Sequence, residues 1–341
     1  MGWRMHSQLT LLVIVVAVAL CFDFINGFHD TANAIATIIS TRGLSPRAAI
    51  AMATALNLVG ALLGTHVATT ISSDLVDAQV VSQWMVLTAL LGAVTWNLAT
   101  WYWGLPSSSS HALIGGVIGA VTAAGYFGSL HFETIFHKVL IPLVASPLVG
   151  MGVGFFLMTV IMWLFNDVPA PKANGLFRRL QVFSSAFLAY SHGNNDAQKS
   201  MGIITMALVA VGKIDVHHVE VPKWVILSCA AAMACGTASG GWRIIKTMGS
   251  KIFKLQPVHG FAAEISGAST IVVASHFGAP VSTTHVIAGA IMGVGATRRL
   301  SAVRWGVAGN MLVAWVLTIP AAAAVSGLLC YSGLASQAAM H

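Results

Sequence analysis

Two polar motifs occur twice in this 341-residue chain, in the same order, and both copies are set in apolar sequence. Gly27-Phe-His-Asp-Thr-Ala-Asn33 aligns with Gly193-Asn-Asn-Asp-Ala-Gln-Lys199. Gly27 falls on Gly193 and Asp30 on Asp196, an offset of 166. Gly104-Leu-Pro-Ser-Ser-Ser-Ser-His111 aligns with Gly278-Ala-Pro-Val-Ser-Thr-Thr-His285 at an offset of 174, which also carries Gly115 and Gly119 onto Gly289 and Gly293. The fold must therefore accommodate one unit twice. Repeated apolar units interrupted by polar motifs point to a transporter whose site lies where the two units meet.

The bilayer is the only solvent that suits the composition. Charged residues are 8% of the chain, hydrophobic residues 57%, and the mean hydropathy is +0.82. A soluble domain carries about 25% charged residues. Too little charge remains to cover a water-facing surface, so the chain is read as an all-α polytopic membrane protein. The apolar run Leu9–Leu20 leads into Phe22-Asp23-Phe24-Ile25-Asn26 with no small-residue cleavage pattern, and is read as a retained first helix. Cys21, Cys229, Cys235 and Cys330 lack redox or metal spacing and read as small buried hydrophobes. The net charge of +7 comes from cations in short loops between spans, which is a topology signal and excludes a nucleic-acid partner.

Ten apolar segments are candidate crossings: 8–41, 48–69, 81–103, 105–128, 139–165, 181–212, 224–241, 256–276, 279–296 and 305–331. The basic loops Arg42–Arg47, Lys172–Arg179, Arg243–Lys254 and Arg298–Arg304 are placed in the cytoplasm, and the loops at 71–80, 129–138 and 213–223 outside. Five segments per half is an odd number, so the second copy runs upside down. The expected organisation is an inverted-topology repeat, residues 1–165 and 181–341, joined by a cytoplasmic linker at 166–180. Segments 8–41 and 181–212 exceed 30 residues where about 20 would span, with the Asp motif near the middle of each. They are expected to be broken helices. Segments 105–128 and 279–296 open on Pro and hydroxyls and are expected to be re-entrant hairpins, tolerated at that depth only against protein or a water-filled cavity.

Asp30 and Asp196 carry charge at bilayer depth, so each needs a partner or a task. They can cap the free N–H groups of a broken helix, titrate as proton carriers, or bind a coupling cation. With Asn26, Asn33, Asn194, Asn195 and nearby carbonyls they form an oxygen set suited to a hard cation such as Na⁺. Ser108, Ser109 and Ser110 in one copy, and Ser282, Thr283 and Thr284 in the other, read as helix N-termini. They can serve as ordinary caps, or as two opposed donor sets for a tetrahedral oxyanion. Lys199 stands where the first copy has Asn33. It can neutralise Asp196 one turn away or meet the anion. His29, His111, His192 and His285 are motif members read as hydrogen-bonded structural residues. Gln181 and Glu264 are isolated polar residues able to line the cavity.

With these residues the chain resembles the inorganic phosphate transporter (PiT) family, as a bacterial member. Gly27–Asn33 and Gly193–Lys199 look like that family's duplicated Gly-Ala-Asn-Asp-Val-Ala-Asn signature, with His29 in place of its usual Asn. The two hydroxyl motifs look like its Gly-Leu-Pro-x-Ser-x-Thr-His pair, and Trp96, Asn97 and Thr100 also fit. The resemblance implies a multi-pass secondary symporter of the cytoplasmic (inner) membrane. It would bind phosphate at the Ser/Thr hairpins and a coupling cation, Na⁺ or H⁺, at the Asp/Asn motifs. It would use no cofactor, is compatible with a homodimer, and would take metal–phosphate or, in one branch, sulfate as an alternative cargo. Carboxylates inside the path argue against an anion channel. A duplicated site with no nucleophile–base constellation argues against an enzyme.

Overall fold

The computed structural model describes residues 2–77, 79–215 and 218–339, and these are almost wholly helical. Positions 216 and 217 of the 213–223 loop lie outside the described residues. The helices are α1 (Gly2–Ser40), α2 (Pro46–Ala61), α3 (His66–Ser73), α4 (Gln83–Trp103), α5 (Ser109–Ala123), α6 (Phe132–Ile135), α7 (Ile141–Leu164), α8 (Ala170–Ala210), α9 (Lys223–Ser239), α10 (Trp242–Lys246), α11 (Pro257–His276), α12 (Thr283–Ala296) and α13 (Trp305–Ala339). Four apolar helical stretches are long enough to cross a membrane: Gln8–Ser40, Gln83–Trp103, Phe132–Leu164 and Trp305–Ser336. The bent pairs α2/α3, at 66°, and α9/α10, at 60°, bring the total to six if each pair is one span. α8 is absent from this set although it has 41 residues, because polar motif residues dilute its apolar sequence.

The breaks fall elsewhere than the length of the motif segments suggests. α1 and α8 run unbroken through Asp30 and Asp196. Their glycines allow close crossing instead of interruption. A methyl group at Gly27 would overlap the backbone of Met233 on α9, and one at Gly193 the backbone of Asn57 on α2. The real discontinuities separate α2 from α3 and α9 from α10. α5 and α12 have 15 and 14 residues, about 22 Å of helix where the hydrocarbon core is about 30 Å thick. They are too short to span, and each follows an extended stretch. Helix α8 begins at Ala170, so most of the 166–180 segment is helical rather than loop.

Packing repeats between the halves. α1 lies against α9 as α8 lies against α2; α4 packs on α5 as α11 packs on α12. The short helices exchange partners across the molecule. α5 packs on α13 of the second half, and α12 packs on α7 of the first. At Gly119 a methyl group would overlap the backbone of Ala323, and at Gly293 that of Met151. Trp315 donates to the Pro106 carbonyl at 2.9 Å, so α13 also holds the extended stretch before α5. The centres of α1, α5, α8 and α12 are therefore buried, while Phe156 and Trp163 on α7 and Val316 and Leu328 on α13 are exposed, as lipid-facing residues are.

Candidate functional site

Four elements meet at the centre. Asp30 comes from α1, Asp196 from α8, and the N-termini of α5 and α12 approach them from the sides. Ser108 and Ser282 are the N-caps; each accepts from the backbone N–H of the histidine three residues on, at 3.2 Å. The capping oxygens leave the next hydroxyls free for other work. Ser110 Oγ donates to the Val281 carbonyl at 3.3 Å, which ties the start of α5 to the residue before the cap of α12. The His111 and His285 rings lie 5.0 Å apart, and His285 stacks on Trp315.

Three of the hydroxyls that do not cap turn to the carboxylates. Ser109 Oγ donates to Asp30 Oδ2 at 2.8 Å, and Thr284 Oγ1 reaches Asp30 Oδ1 at 3.4 Å. Thr283 Oγ1 reaches Asp196 Oδ2 at 3.4 Å. Asn33 Nδ2 donates to Thr284 Oγ1 at 2.8 Å and to Thr283 Oγ1 at 3.3 Å, so motif one grips the start of α12. Lys199 Nζ donates to Asp196 Oδ1 at 2.6 Å, and His192 Nε2 is 3.2 Å from Asp196 Oδ2. His29 Nδ1 is 2.7 Å from Asp30 Oδ1, and its Nε2 is 3.2 Å from Thr100 Oγ1. Every one of these residues is at least 98% buried. Ligand atoms of Asp30, His192 and Asp196 fall within 4.8 Å of one another, close enough for one ion.

The amides divide. Among the described residues, buried Asn26 has neither side-chain atom partnered, and Asn33 Oδ1 and Asn195 Oδ1 are also unpartnered, so these keep acceptors to offer. Asn195 Nδ2 is held by Ser275 Oγ at 2.7 Å. Asn194 points away from the cluster. It donates to the Gly60 carbonyl at 3.1 Å, while Gln198 Oε1 accepts from the Val67 and Ala68 N–H groups. These two side chains satisfy backbone groups freed by the α2–α3 break, as non-helical backbone in a bilayer requires. The amide nitrogen of Asn194 is thus engaged at the end of α2, apart from the carboxylates.

Further along α1 and α8, Glu264 accepts from Thr37 at 2.6 Å, from Gln181 at 2.9 Å and from Ser184, while Thr41 donates to Gln181 Oε1 at 2.7 Å. One residue was missed in the sequence reading. Asp23 is fully buried, one turn before Asn26, and its oxygens have no hydrogen-bond partner among the described residues. An acid within an apolar run was the available signal. An apolar cavity of about 410 Å³ between α7, α12 and α13 is lined by none of the cluster residues and has no donor set for an anion.

A profile described as the phosphate transporter family matches residues 26–326, which includes all four motifs. The chain belongs to the phosphate transporter family. It is 48% identical over 326 residues to a Bacillus subtilis (strain 168) protein named "Probable low-affinity inorganic phosphate transporter", covering 95% of this chain and 97% of the relative. A Rhizobium meliloti (strain 1021) protein of the same name is 50% identical over 322 residues, with 94% and 96% covered. A solved structure titled "The sodium-dependent phosphate transporter" superposes with a TM-score of 0.86 at 26% identity, covering 95% of this chain and 98% of that one. This family member is a membrane protein and a transporter, not an enzyme.

Proposed function

We propose that the chain is a cation-coupled symporter that brings inorganic phosphate across the bacterial inner membrane by alternating access. One observation carries this reading: carboxylates from α1 and α8 are hydrogen-bonded by hydroxyls at the N-termini of α5 and α12. A helix N-terminus offers free N–H groups and the positive end of its dipole, which suits an anion. A buried carboxylate suits a cation. Cargo and coupling ion would thus be neighbours. The arriving anion would take the hydroxyls of Ser109, Ser110, Thr283 and Thr284, and the carboxylates, stripped of those donors, would turn to Na⁺ or a proton. Each charge then lowers the cost of burying the other, which is the energetic basis of coupling. Asn26 and Asn195 would complete the cation shell with Asp30 and Asp196. The repeated packing supports an inverted repeat whose rocking halves open the site to either side.

Phosphate is favoured over sulfate on chemical grounds. Near neutral pH phosphate keeps a proton to donate, and the cluster offers acceptors to receive it in Asn33 Oδ1 and the two carboxylates. The names of the family and its relatives agree, and the sodium-dependent structural neighbour supports a cation as driver. The test is uptake of labelled phosphate and sulfate into proteoliposomes under separately imposed Na⁺ and pH gradients. Phosphate should accumulate under one gradient, show counterflow, and resist equimolar sulfate. Flux without counterflow, or strong competition by sulfate, would overturn the reading.

A further inference from the structure

We propose that the basic pocket between the α10–α11 and α12–α13 connections, together with the apolar groove that begins beside it, binds one anionic phospholipid. Such a site is independent of which cargo or coupling ion the protein carries.

Charge is distributed unevenly in the last third of the chain. Residues 224–341 hold seven Lys and Arg, and Glu264 is the only Asp or Glu there. That acid is buried and engaged with Thr37, Gln181 and Ser184. Four of the seven cations, Lys254, Arg298, Arg299 and Arg304, line one pocket of about 650 Å³ with Gln256 and Ser301. All four are exposed, and among the described residues none of them forms an ion pair. The Arg304 N–H donates to the Ile252 carbonyl at 3.0 Å, which ties the two connections together and fixes the shape of the pocket. Orienting a protein in the membrane needs cations on one side, but no concave arrangement of them. Converging guanidinium groups suit the oxygens of a phosphate ester.

The pocket opens beside a groove of the opposite chemistry. Trp305 follows Arg304 directly and lines the apolar cavity of about 410 Å³ between α7, α12 and α13. Its Nε1–H donates to the Leu300 carbonyl at 2.8 Å, so a side chain of the groove is bonded to the loop that carries the arginines. From Trp305 the groove follows α13 through Leu312 to Val316, about 16 Å of helix. That is about half of the ~30 Å hydrocarbon core, the depth of one leaflet. Cations at the mouth and one leaflet of apolar wall match an anionic headgroup with its acyl chain below it, on the side where loop charge places the cytoplasm. The groove also reaches the transport centre. Trp315 lines it, stacks on His285 and donates to the Pro106 carbonyl at 2.9 Å. A seated acyl chain therefore supports the tryptophan that links α12 to the stretch before α5.

Binding is measured by native mass spectrometry on the purified chain. The probes are phosphatidylglycerol, phosphatidylcholine with the same acyl chains, and glycerol 3-phosphate as a headgroup without chains. The wild type should retain one phosphatidylglycerol per chain and bind it about 10-fold or more tightly than phosphatidylcholine. Phosphatidylglycerol should also raise Tm in detergent where phosphatidylcholine does not. Arg298→Gln/Arg304→Gln should lose both the preference and the Tm shift, and Lys254→Gln/Arg299→Gln gives the same comparison if the first pair does not fold. Gly309→Phe fills the groove from a position where an added methyl group meets nothing within 4 Å, and should weaken phosphatidylglycerol binding. Equal retention of the two lipids, or a preference that survives the charge substitutions, would overturn the proposal. Glycerol 3-phosphate competing as well as the whole lipid would overturn it in favour of a site for free phosphate esters. A lipid-free dimer that Gly309→Phe disrupts would overturn it in favour of a contact between copies.

Discussion

Ser110 gives the sharpest test of the anion site, because its present hydrogen bond is weak. In Ser110→Ala the resting protein loses a 3.3 Å bond to the neutral Val281 carbonyl, worth at most about 0.5–1.5 kcal/mol. The phosphate-bound protein loses a bond to a charged group, worth about 1.5–3 kcal/mol. The difference, about 1–2 kcal/mol, lowers apparent phosphate affinity roughly 5-fold to 30-fold. Ser109→Ala should do less to affinity despite its shorter bond, since Ser109 already donates to a carboxylate at 2.8 Å and the losses in the two states largely cancel. Ser108 is the helix cap, so Ser108→Ala should cost about 1 kcal/mol of stability with little change in affinity. The assay pairs concentration-dependent uptake in proteoliposomes with thermal denaturation in detergent. Unchanged affinity in Ser110→Ala with lowered Tm would show that the hydroxyl only braces the starts of α5 and α12.

Asp30→Asn and Asp196→Asn should each nearly abolish coupled uptake, and normal uptake in either under an imposed gradient would reduce that residue to a structural role. Thermal denaturation should rank Asp196→Asn below Asp30→Asn, because only the former takes the carboxylate from Lys199 Nζ; equal Tm values contradict this. Single cysteines at Asn174 and Glu220 should label from opposite sides of the membrane, 220 from outside, and the reverse pattern would invert the topology drawn from loop charge. Gly193→Ala should overpack the α8–α2 crossing by about 1–3 kcal/mol and slow uptake. Gly152→Ala, where a methyl group meets nothing within 4 Å, should do neither.

The pairings across the centre were legible because duplication is a strong signal. Two motifs recurring in order fixed Asp30, Asp196 and the two hydroxyl runs as a set, and the Gly-x-Pro before each run marked where α5 and α12 begin. The position of the helix breaks was not legible. A glycine beside an acid looks the same whether it interrupts a helix or admits a neighbouring backbone, and only the overlap at Met233 and Asn57 decides for the latter. Asn194 and Gln198 read as motif members, yet their partners are the ends of α2 and α3, about 130 residues away in sequence. Asp23 escaped because the repeat itself directs attention to what the copies share, and Asp23 is where they differ.

The exchange of partners by the short helices also sets a schedule for making the protein. Gly119 on α5 leaves the ribosome about 200 residues before Ala323, the backbone against which it is fitted. At about 5–20 residues per second that interval is about 10–40 s. Through it, α5 and the extended stretch before it wait in the membrane without their final cover, and the Pro106 carbonyl has no Trp315 to receive. The first half cannot mature when its own synthesis ends. A chain truncated before Trp305 should therefore contain every polar motif and still fail to build the centre, with its α5 open to degradation or to the α13 of another copy.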